Sequence, residues 1–263
     1  MNKNKKANYA YTDAQREIAS NNVFETDAVI QHSVSNFYGG GSTQQHVKFS
    51  KYVVPGKWAQ MKSVNWDGKK IYPSKIVCIG RNYAEHIKEF DNEASQEPVI
   101  FMKPNSALSN EIHSSKNDVI HYEGEIAFLI SSGELKGIGF GLDLTKRELQ
   151  YELKGKGWPW ERAKAFDNSA VFSEFVTFGG NIRDLRMEFY INGALAQVGS
   201  YDLMISKPKQ MLNEAKTFLS FEDGDLLMTG TPKGVGPVKA GDKYLGKIFE
   251  KDKLIVEGSW VVK

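Results

Sequence analysis

Val119-Ile120-His121-Tyr122-Glu123-Gly124-Glu125-Ile126-Ala127-Phe128-Leu129-Ile130 is the stretch on which the reading of this chain turns. From Ile126 to Ile130 every position is apolar, the pattern of a strand buried on both faces. Glu123 and Glu125 stand two apart at its start, and because strand side chains alternate, both project to one side. Two carboxylates at that spacing repel unless something positive lies between them. An exposed strand edge is the ordinary setting for such a pair, since charged side chains are mostly solvated. A third carboxylate changes the reading. Asp143 ends the run Gly139-Phe140-Gly141-Leu142 at a strand end, where functional side chains are often displayed. Three carboxylates without a thiolate suit a hard divalent cation, Mg²⁺, Mn²⁺ or Ca²⁺, that leaves positions for water or substrate oxygens.

Outward from this stretch, short apolar runs recur at Lys75 to Gly80, Val99 to Lys103, Leu185 to Ile191, Leu226 to Thr229 and Leu254 to Val262, with turn signals between them. Asn192-Gly193 marks a hairpin, because a type I′ turn needs positive φ at both central residues. Asp223-Gly224 marks another turn. Helices are expected at Asn82 to Phe90, Thr145 to Lys154 and Pro208 to Leu219, the second opened by Thr145-Lys146-Arg147-Glu148 as a capping box. The result is a strand-rich domain with a few helices. Residues 1–60 differ: they are polar, contain Gly39-Gly40-Gly41-Ser42, and offer only a short possible helix from Thr12 to Ser20. They read as an N-terminal extension, with the domain proper at 61–263.

The chain has 263 residues, 41% hydrophobic and 25% charged, which suits a folded domain and excludes collagen-like or wholly disordered classes. Its 34 Lys/Arg against 32 Asp/Glu give no electrostatic reason to expect nucleic acid or a membrane surface as partner. The balance is uneven, however, with 10 basic against 5 acidic residues up to position 70 and an acidic excess beyond. The one cysteine, Cys78, excludes an internal disulfide and sits in an apolar run as a small hydrophobe. Nothing approaches the ~18 consecutive apolar residues of a membrane span, and the basic start lacks the apolar core of a signal peptide. A cytoplasmic setting is the expectation.

Three further features carry chemistry. In Arg81-Asn82-Tyr83-Ala84-Glu85-His86-Ile87-Lys88-Glu89, His86 and Glu89 fall at i and i+3 of a helix, so the carboxylate can orient the imidazole as a general base, though an ordinary surface pair looks the same. Thr229-Gly230-Thr231-Pro232-Lys233-Gly234-Val235-Gly236 is a glycine-rich loop whose amides could bind an anion; it lacks P-loop spacing, and a tight turn is the plainer reading. Lys164 sits among aromatics, where most lysines extend to water.

Six motifs occur in one order: GRNYAEHIKE, PVIFMKP, YEGEIA, LDLTKRELQ, KGWPWERAKAFDNS and LLMTGTPKGVG. Together they resemble the fumarylacetoacetate hydrolase family, specifically its small branch of acylpyruvate hydrolases and oxaloacetate decarboxylases, from about Met61 to the C-terminus. The resemblance implies an α+β fold with a mixed β-roll and flanking helices, a homodimer, and one divalent metal, Mg²⁺ or Mn²⁺. It places the metal ligands at Glu123, Glu125 and Asp143, the catalytic dyad at His86 and Glu89, and a catalytic lysine at Lys164. It places substrate contacts at Gln150 and Thr231, with Arg81 a weaker match. One departure stands out: 17 residues separate Glu125 from Asp143, roughly ten fewer than the family pattern, a difference of loop length.

The implied chemistry begins with a 2-oxo acid chelating the metal, which with Lys164 stabilises the enolate formed as the bond beyond C3 breaks. His86, oriented by Glu89, activates the water that attacks the distal carbonyl. The first expectation is therefore hydrolysis of a small 2,4-dioxo acid of the acylpyruvate or fumarylpyruvate type. The alternatives are oxaloacetate decarboxylation or keto–enol tautomerisation, and isomerisation of a 2-oxohept-3-enedioate. A binding protein without turnover is a different class, disfavoured by the presence of a base.

Overall fold

The computed structural model describes residues 61–89, 98–115 and 117–263, the side chains of Lys88 and Glu89 excepted. The extension expected over 1–60, with its helix at Thr12 to Ser20, lies outside the described residues. Among the described residues no helix is long and apolar enough to cross a membrane.

The founding stretch forms two strands where one was expected. Strand β6 (Ile120–Tyr122) stops at Glu123 and β7 (Gly124–Ser131) starts after it. Strand β7 pairs antiparallel with β8 (Glu134–Asp143) through a turn at Ser132 and Gly133, both at positive φ as a type I′ turn requires. The short connection between Glu125 and Asp143 is thus a tight hairpin. On the other side of β7 lies β14 (Leu226–Met228), then β3 (Lys75–Gly80) and β4 (Val99–Pro104). Beyond β8 come β10 (Ala170–Phe172) and β5 (Leu108–Ser109). The β14–β3 and β10–β5 pairs are parallel and the others antiparallel, so the sheet is mixed. It curls strongly into a half-barrel, the β-roll that the motifs imply.

A second, antiparallel sheet runs β13 (Ala194–Ser200), β12 (Leu185–Ile191), β16 (Lys243–Glu250) and β17 (Lys253–Val261). The Asn192-Gly193 hairpin joins β12 to β13 with φ values of 52° and 83°. Between the sheets the core is aromatic: Phe140 of β8 stacks on Phe189 of β12 at 5.5 Å between centroids, and Tyr244 meets Phe189 edge-on at 5.0 Å. Such pairs add about 0.5–1.5 kcal/mol each beyond their burial. Gly246 admits this packing, because a Cβ there would run into the Phe140 ring. Cys78 is fully buried, as a small hydrophobe should be.

The helices are short: α1 (Ala84–Glu89), α2 (Arg147–Gly155), α3 (Glu161–Lys164) and α4 (Pro208–Ala215). The second corrects the expected capping box. Thr145 and Lys146 form the strand β9 paired with β6, and the helix starts at Arg147 without a side-chain cap. Its first amide instead donates to the carbonyl of Val119 at 3.2 Å. The Thr145 hydroxyl is engaged elsewhere, and that engagement defines the site.

Candidate active site

The β7–β8 ladder brings the three carboxylates together. The amide of Asp143 donates to the carbonyl of Glu123 at 2.9 Å, which fixes the end of β8 beside the break before β7. One carboxylate oxygen from each of Glu123, Glu125 and Asp143 lies within 4.8 Å of the others. All three are buried, at 5%, 1% and 1% exposure, so the exposed-edge reading of the pair does not hold. Three buried oxygen donors this close together match a hard cation such as Mg²⁺ or Mn²⁺ in ligand type.

Cations of the chain surround this cluster. Lys164, at the end of α3, does not extend to water: its Nζ donates to Glu123 Oε2 at 2.8 Å, Asp143 Oδ2 at 2.7 Å and Thr145 Oγ1 at 2.7 Å. Three acceptors use all three ammonium protons. Arg147 donates to Glu123 Oε1 and, at 2.7 Å, to Gln150 Oε1. Lys103 is fully buried on β4, with Nζ 2.8 Å from Asp143 Oδ1, and also donates to Ser169 Oγ at 3.0 Å and to the carbonyl of Lys164.

These neighbours split the two glutamates. Burial opposes ionisation of Glu123, but Lys164 and Arg147 outweigh it and hold its carboxyl below the usual range. Glu125 is pushed well up, first by burial and then by Asp143 and Glu123, although the Gly230 amide donates to its Oε2 at 2.6 Å. Lys164 is held above the ordinary lysine value: burial lowers it, and Asp143 and Glu123 more than compensate. It is therefore a fixed cation at neutral pH.

The glycine-rich loop finds an acceptor inside the protein, the carboxyl of Glu125. Gly230 adopts φ +90°, and a Cβ there would lie 2.9 Å from the carbonyl oxygen of Ile79. Thr231 Oγ1 donates to the carbonyl of Gly124 at 2.9 Å, and buried Gln197 of β13 braces both segments. Its Oε1 accepts from the Gly124 amide at 2.9 Å and its Nε2 donates to Thr231 Oγ1 at 2.9 Å.

A cleft opens onto the cluster, lined by Glu123, Asp143 and Lys164 together with Arg81, His86, Gln150 and Thr231. The structure thus gathers the expected residues, except that Glu125 lies behind the lining and the side chain of Glu89 is outside the described residues. Sequence reasoning passed over Lys103, Arg147, Lys154, Trp160 and Gln197. For Lys103 a signal existed: on β4 it alternates onto the same face as Phe101, which lines the cleft.

Comparison with known proteins gives the family. Residues 75–261 match the family described as Fumarylacetoacetate (FAA) hydrolase C-terminal. The chain is 39% identical over 200 residues to the oxaloacetate tautomerase YcgM of Escherichia coli, covering 68% of this chain and 91% of that protein. A solved structure from Oleispira antarctica, a candidate fumarylacetoacetate isomerase/hydrolase, superposes with a TM-score of 0.73 at 34% identity over 77% of this chain and all of that one. Fumarylpyruvate hydrolase from Pseudomonas aeruginosa, solved with Mn²⁺ and pyruvate, gives a TM-score of 0.69 at 29% identity over 76% of this chain and 95% of that one. With a family match across the β-roll and relatives of this similarity, the chain is an enzyme of the fumarylacetoacetate hydrolase family.

Proposed function

We propose that this enzyme interconverts the keto and enol forms of a small 2-oxo acid of the oxaloacetate type, using Mg²⁺ or Mn²⁺. The observation that carries this reading is the Lys164 ammonium fixed between Glu123 and Asp143 in a cleft that His86 also lines. Glu123, Glu125 and Asp143 would hold the cation, which supplies Lewis-acid polarisation of the keto oxygen. Lys164, charged and buried, stabilises by its charge the oxygen on which enolate charge grows. Arg147 and Gln150 orient the C1 carboxylate beside that point. His86 moves the proton at C3, taking it from the keto form and returning it to the enol. No bond between carbons breaks and no water need attack.

The 39% identity to an oxaloacetate tautomerase supports this reading above hydrolysis. Hydrolysis of an acylpyruvate remains the second reading, favoured by the likeness to a fumarylpyruvate hydrolase that binds Mn²⁺ and pyruvate. The test is to add the enol form of oxaloacetate, follow decay of its ultraviolet absorbance with Mg²⁺ or Mn²⁺, and assay pyruvate from acylpyruvates in parallel. Accelerated enol decay without matching pyruvate release is the expected result. Cleavage of acylpyruvates with no effect on the enol would replace the proposal by hydrolysis.

A further inference from the structure

Lys103 is a cation of the cluster that no substrate can touch. It sits on β4 between Met102 and Pro104 with 0% exposure, so neither solvent nor the cleft reaches it. Burying an ammonium is costly, and a methionine of similar length would fill the same space without that cost. What Lys103 meets accounts for its charge. Its protons go to Ser169 Oγ at 3.0 Å, to the carbonyl of Leu144 at 3.3 Å and to the carbonyl of Lys164, which uses the full capacity of an ammonium. Ser169 Oγ donates to that same Lys164 carbonyl at 2.9 Å, so two buried donors pin the last residue of α3.

Asp143 Oδ1 lies 2.8 Å from the Lys103 ammonium and accepts no hydrogen bond among the described residues. With the Lys103 protons directed elsewhere, this contact is one of charge. Asp143 Oδ2 faces another ammonium, that of Lys164, at 2.7 Å. Both oxygens of one candidate ligand are thus matched by a cation of the chain, one lining the cleft and one behind it. Glu125 differs, because its Oε2 takes a neutral donor, the Gly230 amide, at 2.6 Å. A cation approaching the three carboxylates therefore meets an Asp143 whose charge is already shared. It also meets the Lys103 charge through buried protein, where salt screens little.

We propose that Lys103 is a positioning residue for the cation site: acting through Asp143 and the Lys164 carbonyl, it keeps a divalent cation weakly held and exchangeable, where the carboxylates without it would bind the ion tightly. The proposal rests on the reading of Glu123, Glu125 and Asp143 as cation ligands and on nothing about the reaction. Repulsion of a divalent ion by one such buried charge corresponds to about tenfold or more in affinity.

The test titrates Mn²⁺ into the full chain, stripped of metal by chelator, and reads unbound Mn²⁺ by electron paramagnetic resonance, so no turnover enters it. Lys103→Gln removes the charge but keeps amide protons for Ser169 and the Lys164 carbonyl. Lys103→Arg keeps the charge, and Glu125→Gln removes a ligand. Lys103→Gln should bind Mn²⁺ about tenfold or more tighter than the unaltered protein. Lys103→Arg should stay near the unaltered protein, and Glu125→Gln should bind more weakly than it. A role in packing alone would leave the Kd of Lys103→Gln unchanged or weaken it. Either result, with Glu125→Gln still weakened, overturns the proposal while the cation site stands. Equal tightening in Lys103→Arg overturns it too, since charge would then not be the cause. If Lys103→Gln does not fold, Lys103→Met carries the same expectation and the same refutation. Failure of the folded, unaltered protein to bind Mn²⁺ overturns both the proposal and the cation site.

Discussion

Lys164 Nζ lies 2.8 Å from Glu123 Oε2 and 2.7 Å from Asp143 Oδ2, so one ammonium ties the residue before β7 to the last residue of β8. Removing that charge leaves two buried carboxylates facing each other. Breaking a buried ion pair by deleting one partner costs about 3–5 kcal/mol. Lys164→Met should therefore lose stability of that order in chelator, measured by denaturant unfolding, and recover part of it in Mg²⁺, because a cation held by the carboxylates replaces the missing charge. An equal loss with and without Mg²⁺ would show that the carboxylates are not a cation site.

The raised Glu125 gives a pH signature whose sign can be worked out. Its folded value lies above the ordinary 4.5, so between the two values the folded chain binds a proton that the unfolded chain has released. Its contribution to stability is complete below about 4.5 and declines as pH rises toward the folded value. Glu125→Gln, which keeps the shape and removes the ionisation, should therefore stabilise the chelated protein at pH 8 and gain little at pH 5. Glu123 works in the opposite sense, because its folded value is depressed and its contribution is lost as pH falls below 4.5. With saturating Mg²⁺ the advantage of Glu125→Gln at pH 8 should reverse, since the substitution removes a ligand. Thermal melts at the two pH values, with and without Mg²⁺, check this.

Gln197 supports a third expectation, one that rests on a neutral amide. Its buried amide satisfies the Gly124 amide, the Thr231 hydroxyl and the carbonyl of Pro232. Leaving a buried polar group unsatisfied costs about 1–3 kcal/mol. Gln197→Leu should destabilise by at least that amount in chemical denaturation and loosen the loop that presents the Gly230 amide to Glu125. A neutral effect would mean that water enters behind β13 and takes over these bonds.

Much of the fold was legible because apolar runs and turn residues are local signals. Lys75 to Gly80 and Leu185 to Ile191 form strands with those bounds, and Asn192-Gly193 turns as its chemistry requires. The break at Glu123 was not legible, since Tyr122 and Gly124 both continue a plausible strand and only the pairing of β6 with β9 and with Gly236–Pro237 draws the chain aside. The capping box at Thr145 failed for a related reason: its hydroxyl accepts a hydrogen bond from Lys164, 19 residues away, and that buried bond overrides the local motif. Lys103 and Gln197 escaped notice because their partners lie 61 and 73 residues distant, and no short window contains such pairs. The three carboxylates were legible as a set through spacing and through the family's motifs.

The extension remains an expectation from composition. Residues 1–60 lack an apolar pattern able to offset ordering entropy, and the described aromatic core draws its residues from position 64 onward. A chain starting at Met61 should fold and retain activity. Insoluble or inactive protein after that truncation would show that the extension packs on the domain.

His86 separates the candidate reactions, because they differ in what a base must do. Tautomerisation moves one proton at C3, and hydrolysis removes one from attacking water, so both place proton transfer in the slow step. Decarboxylation of oxaloacetate needs only a cation and Lys164 to hold the enolate. Loss of a general base costs about 10²–10⁴-fold where proton transfer limits the rate and far less where it does not. His86→Gln should therefore cut enol–keto interconversion within that range while leaving a larger fraction of any oxaloacetate decarboxylation, and Lys164→Met should impair both. The measurement is steady-state kinetics of both variants on both reactions, with bound metal quantified so that a lost ion is not taken for a lost base. Equal damage to the two reactions by His86→Gln would mean that His86 positions the substrate without moving a proton, and the base would have to be sought elsewhere in the cleft.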